Sequence, residues 1–203
     1  MAKLYYQGHG SYRITTNDGT VIYLDPFAGG GYDVPADLIL VTHEHGDHNA
    51  VELPAKKEGC VIWRAADFLK GGVYQTKTFG GVTVQAVEAC NKNHPCAECV
   101  GFVLTFDGIK LYASGDTNET EMMHTVLPAM KLDYALLPID GYYNMGPEDA
   151  AKCAAIIGAK HAIPIHSSPT GIADPWLLWD EEAAKRFHAP GRLLVRDGEE
   201  IVL

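Results

Sequence analysis

Cationic residues are scarce in this sequence: 16 lysines and arginines stand against 26 aspartates and glutamates, a formal charge of −10 with neutral histidines. Beyond the pair Lys56–Lys57 there is no basic cluster. A nucleic-acid backbone is therefore disfavoured as the main partner, because such binding depends on Lys and Arg displacing counterions. The acidic excess reads instead as a solvated surface that keeps the chain soluble. Long apolar runs are missing too; nothing approaches the roughly 20 residues that a membrane helix needs, and no membrane partner is expected. The first residues lack the basic stretch, apolar core and cleavage site of a secretory leader. A strand pattern begins almost at Met1, which makes the cytoplasm the expected location. Cysteine is sparse and odd in number (Cys60, Cys90, Cys96, Cys99 and Cys153), favouring reduced thiols over a disulfide framework. Linkers and low-complexity tracts are absent. A length of 203 residues suits one domain with a substantial core and is short for two, so 1–203 is read as a single unit.

What the sequence does contain is a series of short alternating or apolar segments punctuated by Gly, Asn and Asp. Strands are predicted at 3–7, 11–16, 20–24, 37–41, 61–63, 73–78, 81–88, 100–106, 109–113, 133–138, 161–165 and 192–203. Asp18–Gly19, Asp107–Gly108 and Asp197–Gly198 are expected turns, since glycine accepts the positive φ that hairpins require. A helix is expected over 147–157, where Pro147 suits the first turn, Glu148 and Asp149 complement the positive dipole end, and Gly158 stops the run. Segment 175–188 reads as amphipathic, with shorter helices at 47–52, 65–70 and 119–130. Thr20 to Asp25 resembles Ile109 to Asp116, each strand following Asp-Gly and ending at an aspartate, and Asp37-Leu-Ile-Leu-Val resembles Asp133-Tyr-Ala-Leu-Leu. Two packed sheets with helices outside are the expected arrangement, an α/β class.

The strongest chemical signal is Thr42-His43-Glu44-His45-Gly46-Asp47-His48, with three imidazoles and two carboxylates directly after an apolar strand. A strand end followed by a glycine-containing loop can fan several donors into one space, and neutral imidazoles with carboxylates suit zinc and its neighbours. Asp116 and His166 each sit just beyond an apolar strand, where ligands collect in layered folds.

The run His43 to His48 matches H-x-H-x-D-H, and here the sequence resembles the metallo-β-lactamase superfamily. The resemblance extends over Gly8-His9-Gly10-Ser11, Leu24-Asp25-Pro26, Ser114-Gly115-Asp116-Thr117, Leu136-Leu137-Pro138-Ile139, Met145-Gly146-Pro147-Glu148-Asp149-Ala150 and Ile163-Pro164-Ile165-His166. It is most similar to the compact branch of small metal-dependent hydrolases that includes ascorbate-phosphate lactonase-like proteins. The resemblance implies a four-layer αββα sandwich and two divalent cations, zinc by default with manganese or iron as alternatives. One cation would be held by His43, His45 and His94, the other by Asp47, His48 and His166, with Asp116 bridging. The other histidines fit less well than His94: His124 and His188 fall in expected helices, and His161 has strand parity opposite to His166.

Around this set, Asp25 is expected to accept the second N–H of a ligand imidazole, with His9 near the same floor. Asp140 departs from the glycine common in relatives. It is read either as a pocket acid selecting a cationic or hydroxyl-rich group or as the cap of a turn. Tyr143 and Tyr142 are candidate pocket walls. Cys96-Ala-Glu-Cys99 could form a metal clip with Cys90 or a redox switch, but thiols without metal are expected.

The implied chemistry is hydrolysis of an ester, lactone or phosphoester bond of a small polar metabolite by solvent acidified between two cations, with Asp47 orienting the nucleophile or moving its proton. Three other readings stay open: an RNA-processing phosphodiesterase, disfavoured by the short acidic chain; a di-iron redox module, disfavoured because His45 stands where such relatives carry Glu; and a metal-binding sensor without turnover. The apolar side of 175–188 could support a homo-oligomer.

Overall fold

The computed structural model describes residues 1–168 and 177–203. The elements in chain order are β1 (Lys3–Gly8), β2 (Ser11–Thr15), β3 (Val21–Leu24), β4 (Ala36–Val41), β5 (Lys56–Arg64), α1 (Ala65–Phe68), β6 (Leu69–Lys70), β7 (Val73–Tyr74), β8 (Thr76–Phe79), β9 (Val82–Glu88), β10 (Val100–Phe106) and β11 (Ile109–Ala113). They continue with α2 (Glu121–Thr125), α3 (Leu127–Met130), β12 (Tyr134–Pro138), α4 (Pro147–Ile157), β13 (His161–Ile165), α5 (Glu181–Arg186) and β14 (Glu200–Val202).

Among the described residues the strands form two six-stranded sheets, β14-β1-β2-β3-β4-β5 and β13-β12-β11-β10-β9-β8, plus the small β6–β7 ribbon. The two sheets repeat one plan. Antiparallel pairs β1–β2 and β2–β3 are followed by parallel pairs β3–β4 and β4–β5. In the same order, antiparallel β9–β10 and β10–β11 are followed by parallel β11–β12 and β12–β13. The similarity between the two aspartate-headed strands is therefore structural. Asp37 accepts the Val21 N–H at 2.8 Å and the Lys57 ammonium at 2.6 Å; Asp133 accepts the Lys110 N–H at 2.8 Å and the Lys160 ammonium at 2.7 Å. Each carboxylate pins the start of a parallel pair. The hairpin between β10 and β11 turns on Asp107 and Gly108, both at positive φ (51° and 80°), as a type I′ turn requires.

Period-two alternation decides what each strand buries. In β3 and β4, Ile22, Leu24, Leu38 and Leu40 enter the core between the sheets, while Val21, Tyr23 and Ile39 pack on the outer face. That outer face is covered by Tyr32, Val34 and Val51 from loops. The outer face of the other sheet is covered by helices, α4 packing on β12 and against α2, α3 and α5. In α4, Ala150, Cys153, Ala154 and Ile157 are buried, the spacing of one helical face. Its ends follow the sequence: Pro147 in the first turn and Gly158 left-handed at the C-cap, donating to the Ala154 carbonyl.

The strand expected over 73–78 is two, β7 and β8, and the helix expected over 65–70 ends at Phe68; four further elements differ from expectation. Residues 47–52 form turns, with His48 N–H bonded to the His45 carbonyl and Ala50 N–H to that of Pro26; the backbone is spent on directing Asp47 and His48. The helix expected over 119–130 is two short ones, because Pro128 offers no N–H and its ring crowds the preceding turn. Of the helix expected over 175–188, residues 175 and 176 lie outside the described residues, and the helix seen is α5, capped by Asp180, which accepts from the N–H groups of Glu182 and Ala183. Within 192–203, only Glu200–Val202 joins the sheet, after the Asp197–Gly198 turn. No helix among the described residues is long and apolar enough to cross a membrane.

Candidate metal centre

The strand ends of the two sheets meet at one place. Asp25 follows β3, His43 follows β4, Asp116 follows β11, Asp140 follows β12 and His166 follows β13. Because the sheets repeat one plan, Asp25 and Asp116 occupy corresponding positions, one from each sheet. The approach is close. A Cβ on Gly115 would lie 2.8 Å from the Thr42 Cβ, so the turn carrying Asp116 needs glycine to rest on the turn carrying His43. Asp25, His9 and His166 all hold positive φ (42°, 54° and 46°), a conformation that costs energy away from glycine and concentrates at functional sites.

Two groups of donors result. Ligand atoms of His43, His45 and His94 lie within 4.8 Å of one another, as do those of His9, Asp47, His48 and His166. Asp116, buried, stands between them: its Oδ2 is 3.3 Å from His94 Nε2 and 3.4 Å from His166 Nε2, and its Oδ1 is 3.3 Å from His48 Nε2.

The far nitrogens of these rings are tied back. Asp25 Oδ1 accepts the Thr42 N–H at 2.7 Å; its Oδ2 accepts the Thr42 hydroxyl at 2.6 Å and His48 Nδ1–H at 3.0 Å. Having given its only proton to Asp25, the Thr42 hydroxyl can only accept from His43 Nδ1 at 3.0 Å. In their neutral forms both imidazoles are thereby held as the tautomer with a lone pair on Nε2. Asn91 does the same for His94, its Oδ1 lying 2.9 Å from Nδ1. His166 differs: its Nδ1 lies 3.4 Å from Asp140 Oδ2 without a hydrogen bond and is buried and unpartnered. The Nε2 atoms of His43, His48 and His166 are buried and meet no protein hydrogen-bond partner. Unpartnered buried nitrogens are costly, and several aimed at one carboxylate are the donor set a divalent cation fits.

The electrostatics agree. Burial pushes the His43 imidazolium down to about 2, leaving the neutral form that binds metal. Burial would raise the Asp116 carboxyl, but His166 and His48 outweigh it and hold it well below the usual range. Burial likewise opposes charge on His48, yet Asp116 and Asp25 hold it well above its ordinary value. A buried carboxylate this strongly in demand of positive charge fits a cation site.

His9 is closer to the centre than the floor position expected. Its Nε2 is 3.0 Å from Asp47 Oδ2, its ring lies 3.6 Å from that of His166, and its carbonyl accepts from the Tyr6 hydroxyl and the His166 N–H, both at 2.7 Å. Asp140 has a fully buried side chain. Its Oδ1 accepts the N–H groups of Tyr142 and Tyr143 at 2.8 and 2.6 Å, and its Oδ2 the Asn144 amide at 2.8 Å. It caps a turn and faces His166, and does not project into a pocket. Tyr143 lines a depression of about 330 Å³ with His45, Asp47, Asn93, His94 and Asp116.

Three residues were not singled out from sequence: Thr42; Asn91; and Asn144, whose amide donates to Asp116 Oδ2 at 2.9 Å. Asn91, three residues before His94, is the one with a local signal. The expectation of reduced thiols is corrected for one pair: Cys90 and Cys96 form a disulfide, their Cα atoms 4.8 Å apart. The Asn91–His94 bridge folds the intervening loop back and brings the two together, a proximity that spacing alone does not reveal. Cys99 is free and buried, and burial pushes its thiol up to about 12.

Gly10 tests the placement of His48. A Cβ there would come 2.6 Å from His48 Cε1. Gly10→Ala is expected to cost about 1–3 kcal/mol through overpacking and to lower the bound metal per chain, measured by elemental analysis of folded protein. Unaltered metal content would remove His48 from the centre.

The fold and this histidine–aspartate centre define a class: the metallo-β-lactamase fold, with residues 3–166 matching the Beta-lactamase superfamily domain. A UPF0173 metal-dependent hydrolase of Geobacillus thermodenitrificans is 32% identical, covering 81% of this chain and 84% of the relative. One from Ligilactobacillus salivarius is 35% identical over the same shares, 81% and 84%. The crystal structure of a Parabacteroides distasonis protein superposes with TM-score 0.74 at 29% identity, over 96% of this chain and 92% of that one. The chain belongs to the UPF0173 family of metal-dependent hydrolases.

Proposed function

We propose that the chain hydrolyses an ester, lactone or phosphoester bond of a small molecule with two divalent cations. His43, His45 and His94 would hold one, and Asp47, His48 and His166 the other, with Asp116 reaching both. The observation that carries this reading is the convergence of the buried, unpartnered Nε2 atoms of His48 and His166 on Asp116, while the other ring nitrogens of His48 and His43 are held by Asp25 and Thr42. Bound there, such cations supply Lewis acidity and acidify water to a pKa of about 7. Zinc is the default from the donor chemistry, and manganese or iron suits the same donors.

The chain's own residues do the rest. Asp47 keeps its side chain 26% exposed at the mouth while His9 fixes its Oδ2, so its carboxylate can orient a water and carry its proton to the leaving group. His45, exposed, forms the rim. Asn144 steadies Asp116 from behind.

The test is elemental analysis alongside hydrolysis of ester, lactone and phosphodiester panels by metal-reconstituted protein. About two metals per chain and metal-dependent turnover of one class are expected. In Asp47→Asn, kcat is expected to fall by about 10²- to 10⁴-fold with most of the metal retained. Metal-loaded wild type inert on every panel, or a variant as fast as wild type, would refute the assignment.

A further inference from the structure

Beside the polar depression over Asp47 and Asp116 lies a second one of about 410 Å³, and the two share His45. Its walls are largely carbon: Ala65, Ala66 and Leu69 from α1 and the start of β6, and Pro95 from the His94 loop. Its charged lining groups are acidic, Glu44 and Glu98. Glu44 is paired, its two oxygens accepting from Arg64 Nη1 at 2.9 and 2.7 Å. Glu98 has no cationic partner among the described residues. No Lys or Arg lines either depression among the described residues, and residues 169–176 contain none in sequence.

The cations would hold the reacting group, whichever it is; beyond their reach, a pocket for a phosphate or carboxylate group is built from Arg, Lys or backbone N–H donors. A wall of methyl groups beside an unpaired carboxylate repels an anion and gains by burying apolar surface. A volume near the small end of ligand pockets also limits the occupant to a compact group.

We infer that the substrate is a small, uncharged carboxylic ester or lactone whose apolar acyl side sits between Leu69 and Pro95, with the scissile carbonyl over Asp47 and Asp116. The inference rests on the hydrolytic reading above and narrows it to substrates whose acyl side carries no negative charge. One water is consumed. Its oxygen bonds to the acyl carbon as the acyl C–O bond breaks; one of its protons reaches the leaving alkoxide, and the other is released when the product acid ionises.

The experiment compares three substrates that share one leaving group, on metal-reconstituted protein: 4-nitrophenyl butyrate, the anionic 4-nitrophenyl succinate monoester and bis(4-nitrophenyl) phosphate. Wild type is expected to favour butyrate over each of the others in kcat/KM by at least about tenfold. Glu98→Lys is expected to shift the succinate-to-butyrate ratio by about tenfold towards succinate. Ala66→Trp, which fills the cavity, is expected to raise KM for butyrate by about tenfold with metal content unchanged. Preference of wild type for either anion, or an unchanged KM in Ala66→Trp, overturns the inference and leaves the hydrolase reading standing. Failure of the two-metal wild type on all three substrates overturns both.

Discussion

Asp116→Ala is expected to strip most of the bound metal and to lower hydrolysis by on the order of a thousandfold or more, the equivalent of about 4 kcal/mol of transition-state stabilisation. Within the site, Asp116 is the group whose oxygens approach both donor sets, 3.3 Å from His94 on one side and 3.3 and 3.4 Å from His48 and His166 on the other. Removing it also leaves imidazoles buried around an uncompensated space. Asp116→Asn, which preserves shape and the contact with Asn144, separates the two effects. It should fold with a Tm near wild type yet hold less metal by elemental analysis. A variant with full metal content and full turnover would show that Asp116 is structural only.

Asp25→Asn is expected to have the second-largest effect, although Asp25 need touch no metal. Asparagine tolerates the φ of 42° found here, so the backbone survives. Its amide has one acceptor oxygen where the carboxylate has two, and these serve three donors: the Thr42 N–H, the Thr42 hydroxyl and His48 Nδ1–H. At least one buried donor then faces an N–H₂ group. The expected cost is about 1–3 kcal/mol, read as a Tm drop of roughly 5 °C. Metal affinity should fall about 10- to 100-fold because the tautomers of His43 and His48 are no longer held. Equilibrium dialysis against graded chelator measures this; an affinity equal to wild type would mean that the Thr42–Asp25 relay orients nothing.

The readable parts of the centre are those where chemistry is concentrated along the chain. His43, His45, Asp47 and His48 stand in one six-residue run because a single turn after β4 presents them together. Asp116 and His166 were legible as strand-end residues, since the parallel strands of β11, β12 and β13 open at one edge. The matched aspartates Asp37 and Asp133 likewise gave away the repeated sheet plan, because each caps the start of an equivalent strand pair. Helix α4 was legible through Pro147 and Gly158, whose backbone preferences act locally.

Other features were hidden because they depend on contacts between distant segments. His9 reaches Asp47 only through the left-handed turn after β1 and the bond from the His166 N–H to its carbonyl. Asp140 looked able to enter a pocket, and its side chain is consumed by its own turn. The Cys90–Cys96 disulfide follows from the fold-back at Asn91 and His94, and the break at Val126 from the competition between a helical pattern and Pro128.

Alone, then, the sequence determined the fold class, hinted at the repeated plan of the two sheets and put forward most of the side chains that meet at the strand ends, because periodicity, turn chemistry and ligand type are properties of neighbouring residues. Only the tertiary structure decided which nitrogen of each imidazole faces the centre, how His9 reaches Asp47, and that a carbon-lined depression with no Lys or Arg among the described residues adjoins His45. Those depend on where separate strand ends are brought together, and side-chain direction at such a junction is set by packing between the two sheets.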